Sequence, residues 1–240
     1  MKDLPKRIGL FGGTFNPIHL GHLRAAEEVR MAFSLLKVVF MVSAVPPHKD
    51  PGRIAKAEHR YAMTELAIRG NYHFEVSDYE MEKEGVSYSI NTVFWMKKHY
   101  PGELFFIVGL DAFRDIASWH RYDELLSLCH FVIMTRPGYH RFDLEDVLPS
   151  SIARLYTYDR RHDSYIHPSG QKIFHQSVTL MDISSTSIRE LIHERRSIRY
   201  LIPLAVEDYI EKYHLYRGTL DGTLGNDRTF AIQEKQPSLV

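Results

Sequence analysis

The chain has 240 residues, and its thirty basic residues balance thirty acidic ones. That length suits one domain, and the balance leaves no overall field to draw nucleic acid or an anionic membrane. The one cysteine, Cys129, has no internal disulfide partner and lies in an apolar run, which fits a buried thiol in a reducing compartment. No apolar stretch approaches the ~18 residues of a membrane span, and residues 1–7 lead into the first strand without a signal-peptide core. A soluble, cytoplasmic protein is expected, with no nucleic-acid or membrane partner.

The first predicted strand, residues 7–11, runs into Gly12-Gly13-Thr14-Phe15-Asn16-Pro17-Ile18-His19-Leu20-Gly21-His22, and helical spacing follows over residues 20–33. A junction of strand, glycine turn and helix start binds phosphate, because free backbone N–H groups and the positive helix end point into it. His19 and His22, three residues apart, share a face and reach the same anion. The common nucleotide motifs do not fit. There is no Gly-Lys-Ser/Thr ending, and Gly9, Gly12 and Gly13 lack the G-x-G-x-x-G spacing.

A second strand, residues 37–43, leads to Pro46-Pro47-His48-Lys49, and helical spacing covers 58–69. A weaker strand at 73–76 precedes Ser87-Tyr88-Ser89, which opens a helix over 89–99. The strand at 104–108 ends in Gly109-Leu110-Asp111; Trp119 begins helical spacing to 127, and the strand at 130–135 meets Arg136-Pro137-Gly138. This alternation predicts an α/β, Rossmann-like, doubly wound parallel sheet with a small C-terminal helical part. Ligands of such sheets bind beyond the carboxyl ends of the strands, which is where the turns at Gly12, Pro46 and Gly109 fall. Residues 1–216 read as a single domain. Within it, 138–176 is expected to be an irregular insertion with one or two short helices, and 184–216 a helical part. Residues 217–240, with few large apolar side chains, are expected to form a mobile tail.

The second motif is Ile183-Ser184-Ser185-Thr186-Ser187-Ile188-Arg189, at the start of another helical pattern. One serine suffices to cap a helix; four hydroxyls and an arginine fit a polyphosphate clamp better, since arginine grips phosphate with two prongs.

The H-x-G-H turn resembles that of the nucleotidylyltransferase superfamily. With Pro46–Lys49, His59-Arg60, Ser87–Ser89, residues 104–112, Trp119-His120, Arg136–Gly138 and Ile183–Arg189 in order, the chain resembles bacterial nicotinate mononucleotide adenylyltransferases over residues 8–216. The resemblance implies transfer of AMP from ATP to nicotinate mononucleotide, giving the deamido dinucleotide and pyrophosphate in NAD synthesis. His19 and His22 are then the catalytic pair at the α-phosphate, and Lys49 neutralises phosphate charge from the facing loop. Gly12, Gly13, Thr14 and Phe15 hold ATP through backbone groups, and Gly21 keeps side-chain bulk away from the nucleotide. Ile183, Ser184, Ser185, Thr186, Ser187 and Arg189 hold the leaving pyrophosphate.

For the acceptor, Ser87, Tyr88 and Ser89 would receive the nicotinate carboxylate, and Gly109 with Asp111 would meet ribose hydroxyls. The family pattern implies that Trp119 stacks on the pyridine ring, although a tryptophan there otherwise reads as core. Arg136 would touch phosphate or cover the sheet end. Magnesium is expected to arrive with ATP, and the scattered histidines are not expected to bind metal. A homo-oligomer is left open. The chain departs from the family pattern at Asn16, often aspartate; at Ser89, usually threonine; and at Leu110, commonly smaller. These leave the choice between nicotinate and nicotinamide mononucleotide open; a sister enzyme using the same chemistry on another acceptor, such as phosphopantetheine, is a separate alternative. A nucleotide-binding regulator without turnover is the alternative from another class.

Overall fold

The computed structural model describes residues 6–45, 54–83, 85–135 and 142–218. Eight strands form one sheet in the order β3-β2-β1-β4-β5-β8-β7-β6. The chain builds β1 (Arg7–Gly13), β2 (Lys37–Val42) and β3 (Phe74–Ser77) outward to one side, then crosses back to β4 (Glu103–Gly109) and β5 (His130–Thr135) on the other. All neighbours from β3 through β5 to β8 (Lys172–Ser177) pair in parallel. Parallel strands joined by helices must be covered on both faces, and successive side chains alternate accordingly. Val39 and Met41 enter one buried cluster, whereas Val38, Phe40 and Val42 enter the other.

The helices divide between those two clusters. The first receives Ile90, Val93 and Met96 of α3 (Ser89–His99), Phe113 of α4 (Leu110–Arg114), and Leu125 and Leu126 of α5 (Tyr122–Leu128). The second receives Ala26 and Val29 of α1 (Leu20–Ala32) and Met63 of α2 (Ala57–Ile68). Among the described residues no helix is long and apolar enough to cross a membrane. Cys129 is buried, and its thiol pKa is pushed up to about 12 by desolvation, so it stays a packed thiol.

Two regions differ from the expectation drawn from sequence. Residues 138–176 hold not only the short α6 (Ser150–Ala153) but three strands, β6 (Thr157–Asp159), β7 (Ser164–Ile166) and β8, which extend the sheet beyond β5. Two of these are three residues long, too short to show a period, and they exist because β7 pairs antiparallel with β8 and β6 with β7. The helix expected from Trp119 begins at Tyr122 instead. Arg121 before it takes the left-handed conformation at φ 54°, so the residues ahead turn away from the helix path.

The strand order reverses between β1 and β4, whose carboxyl ends lie side by side. A crevice outside that reversal is where this architecture binds ligands.

Candidate active site

At the carboxyl end of β1 the chain turns through Thr14 and Phe15, the latter left-handed at φ 46°. The Phe15 ring folds back beneath the turn. It meets Phe11 edge-on at 5.7 Å and His22 edge-on at 5.2 Å, forming the floor under the second histidine. Gly13 is required by that packing, since a Cβ there would sit 2.7 Å from the Phe15 ring.

His19 is the extended N-cap of α1, at φ −146° and ψ 170°. Its backbone N–H donates to His22 Nδ1 at 3.3 Å, which leaves the proton of a neutral His22 ring on Nε2. The two imidazoles stack with centroids 3.6 Å apart. His19 is only 6% exposed, its Nδ1 has no hydrogen-bond partner among the described residues, and burial lowers its pKa to about 4. It is therefore a neutral, desolvated imidazole with one unmet nitrogen. Gly21 has a further reason besides the one expected: a Cβ there would come within 3.0 Å of His19 Nδ1. The glycine makes room for the histidine ring itself.

The serine-rich motif docks directly on this turn. Ser184 caps α7 (Ser185–His193); its Oγ accepts from Ser187 N at 3.0 Å, and Ser187 Oγ accepts from Ser184 N at 3.2 Å. Ser185 Oγ donates to the Pro17 carbonyl at 2.8 Å. Arg189 donates through Nη1 to the Asn16 carbonyl at 2.8 Å and through Nη2 to Thr186 Oγ1 at 3.2 Å. The four hydroxyls and the guanidinium thus all have protein partners: two serines cap, one docks, and Thr186 steadies the arginine. Ile183 is half-buried beside them, its carbonyl 3.9 Å from where a Gly21 Cβ would lie.

The residues expected at the acceptor are more open. Ser87 N donates to the Val45 carbonyl at 3.3 Å, and Val45 N donates to Ser87 Oγ at 3.4 Å, tying this segment to the end of β2. Tyr88, the N-cap of α3, is exposed and lies 4.5 Å from the His120 ring. Ser89 is half-buried at the first position of that helix. Gly109 caps α4 with open space around its Cα, and Asp111 is exposed in the first helical turn. Trp119 is half-buried and packs on the core 6.0 Å from Phe106. Apart from Trp119, which lies between α4 and α5, the described candidate residues follow the carboxyl ends of strands or open helices. Lys49 and Arg136 lie outside the described residues.

Four residues given no site role from sequence, Arg60, Asn16, Tyr216 and Glu80, are buried around these turns. Arg60, 1% exposed, spends its guanidinium on four backbone carbonyls: Ala55 at 2.8 Å, Thr14 at 2.9 Å, Ser43 at 2.6 Å and Ala44 at 3.1 Å. Asn16 Oδ1 accepts from Ala55 N at 3.1 Å and from the Tyr216 hydroxyl at 2.8 Å, so the turn is held from behind by the end of the helical part. Burial pushes the Tyr216 phenol well above its usual pKa, and it stays a donor. Glu80 is buried against Thr92, 2.5 Å from its hydroxyl, and desolvation raises its pKa. The available signal for Arg60 was its spacing with Met63 and Thr64, which puts it on the buried face of α2.

Residues 10–191 match the family model described as cytidylyltransferase-like. A probable nicotinate-nucleotide adenylyltransferase of Geotalea daltonii is 45% identical over 88% of this chain and 98% of its own length. The chain belongs to this family. A second probable nicotinate-nucleotide adenylyltransferase, from Moorella thermoacetica, is 43% identical over 91% of this chain and 95% of its own. Among solved structures, the nicotinic acid mononucleotide adenylyltransferase of Plasmodium falciparum complexed with NaAD superposes with TM-score 0.65. It shares 20% identity, covering 88% of this chain and 97% of that one. At that identity the likeness supports the Rossmann-like fold alone, whereas the family rests on the closer relatives and the family model.

Proposed function

We propose that this chain transfers AMP from ATP to nicotinate mononucleotide, with His19 and His22 at the α-phosphate. The observation that carries the assignment is the buried, neutral His19, with an unmet Nδ1, stacked on His22 at the start of α1. An unpartnered buried nitrogen costs free energy and is tolerated where a ligand supplies its partner. A phosphate arriving there also raises the imidazole pKa, since an adjacent anion favours the charged ring. The names of the relatives support nicotinate as the acceptor's base.

In the reaction, a phosphate oxygen of the mononucleotide attacks the α-phosphorus in line. One P–O bond forms, the bond to the bridging oxygen of the β-phosphate breaks, and pyrophosphate leaves with the electron pair. The nucleophile is already ionised, so the protein's tasks are to align two anions and stabilise charge between them. The stacked histidines serve the second task, and the turn braced by Phe15, Arg189 and Arg60 serves the first. Among the described residues no group of three His, Cys, Asp or Glu side chains could hold a metal ion, and the chemistry fits Mg²⁺ entering as MgATP, bound by phosphate oxygens. Ser184–Arg189 on one side and Lys49 on the other would flank the pyrophosphate. Trp119 and Ser87–Ser89 would receive the base, Asp111 the ribose and Arg136 the sheet end. We read residues 1–216 as one catalytic unit, with the sheet continuous from β3 to β6.

The test is pyrophosphate release from MgATP with nicotinate mononucleotide, its amide analogue and phosphopantetheine offered separately. A strong preference for the acid is expected. Equal use of acid and amide would overturn the carboxylate assignment around Ser87–Ser89. Silence with all three, alongside ATP binding, would indicate a nucleotide-binding regulator.

A further inference from the structure

We propose that Arg60 is a positioning residue that holds the ATP turn and the acceptor segment at the separation that in-line attack needs. This rests on the adenylyl-transfer reading. The guanidinium reaches three separate pieces of chain at the carboxyl edge of the sheet. Its Nη1 donates both to Thr14, in the turn after β1, and to Ser43, just past β2, so those carbonyls are held against a single nitrogen. Nη2 donates to the Ala44 carbonyl, and Nε to the Ala55 carbonyl ahead of α2. Next along the chain, Val45 exchanges two hydrogen bonds with Ser87 of the acceptor segment. A continuous path of hydrogen bonds therefore runs from Thr14 through Arg60 and the end of β2 to Ser87.

The same contacts hold Ala44 and Ala55, and Asn16 accepts from Ala55 N. The Thr14, Ser43 and Ala44 carbonyls sit past the ends of β1 and β2, where no ladder can satisfy them, so a planar fork with five donors replaces the missing sheet partners. Lysine offers three donors from a single point and cannot serve three directions in one plane. A residue that only stabilised the fold would not need to bridge the two flanks of the crevice. Arg60 does so while buried, 1% exposed.

The test uses the full chain, after the wild type has been shown to release pyrophosphate with nicotinate mononucleotide. Arg60→Lys and Arg60→Met are assayed for kcat at saturating substrates, for binding of each substrate alone and for thermal midpoint. A positioning role predicts that single-substrate affinities stay close to wild type while kcat falls up to about 10²-fold, the cost of a misplacement near 1 Å. Lysine should recover little of it. An unchanged kcat per folded molecule, with only a lower thermal midpoint, would overturn the proposal. A wild-type measurement covers variants that do not fold. A non-hydrolysable ATP analogue alone should slow amide exchange at Ser87, and unaltered exchange there would overturn the coupling. Slowed exchange in a protein that transfers AMP to no acceptor would support the clamp and sink the functional reading instead.

Discussion

On the β1 flank of the crevice, Phe15, Asn16 and His19 are buried, and Arg60, Arg189 and Tyr216 brace the turn from three directions. On the acceptor flank, Tyr88 and Asp111 are exposed and Trp119 rests half-buried on the core. On the proposed reading the difference follows from what each flank would bind. A triphosphate would be recognised by backbone groups and ring nitrogens whose placement has to exist beforehand, which fits a turn over-determined by packing. A flat base and a carboxylate would be met by side chains that settle on arrival. Preorganisation would then be concentrated where charge develops.

The comparison breaks most visibly if His19→Ala leaves turnover intact. We expect a loss of ~10²–10³-fold in pyrophosphate release, typical for one lost donor at a developing charge, with the circular dichroism of the wild type. A folded variant of near-normal activity would remove His19 from catalysis. Gly21→Ala probes the same flank more gently. Its new Cβ, 3.0 Å from His19 Nδ1, should tilt the ring and cost about tenfold in kcat/KM, or ~1.4 kcal/mol. Alanine is the better helix former, so thermal stability should not fall, and a matched loss of both would implicate the fold instead.

On the acceptor flank, Trp119→Ala should weaken mononucleotide binding by the ~1–3 kcal/mol of a lost base stack, while ATP titrations stay unchanged. If ATP affinity moves and the mononucleotide's does not, the two flanks have been assigned the wrong way round.

The smallest effect is on stability against pH. Burial holds His19 at about 4 in the fold, below the 6.5 of an exposed ring, so the unfolded chain takes up its proton first as pH falls. The contribution is complete above 6.5 and is lost progressively toward 4. Burial also lowers His59 and His130, which share the trend. Urea midpoints measured from pH 7 to 4.5 should thus fall less steeply for His19→Gln than for the wild type. Parallel slopes would mean that His19 is not held neutral.

The site was legible wherever its chemistry is contiguous. Eleven residues from Gly12 to His22 hold strand end, turn and helix start together, and Ser184 to Arg189 hold a cap with its arginine. Their placement at one edge follows from strand–helix alternation. Roles were less legible than positions. Ser184 and Ser187 cap each other's helix start, and Arg189 grips Asn16, because a hydroxyl or guanidinium near a carbonyl takes that partner whatever else it serves. The two short strands at the sheet edge were hidden for a related reason: three residues show no period, and only pairing of β7 with β8 and of β6 with β7 makes them strands.

The sequence by itself determined the parallel sheet, the strand–turn–helix junction at Gly12–His22 and the family, since hydrophobic period, turn chemistry and motif spacing are all local properties. Only the tertiary structure decided that Arg60 is buried and that Tyr216 reaches Asn16 across two hundred positions of chain. An arginine on a helix and a tyrosine near the end of a helical part carry no local mark of the carbonyls they will meet. Those partners come from loops brought together by the sheet, and desolvation then makes each bond obligatory.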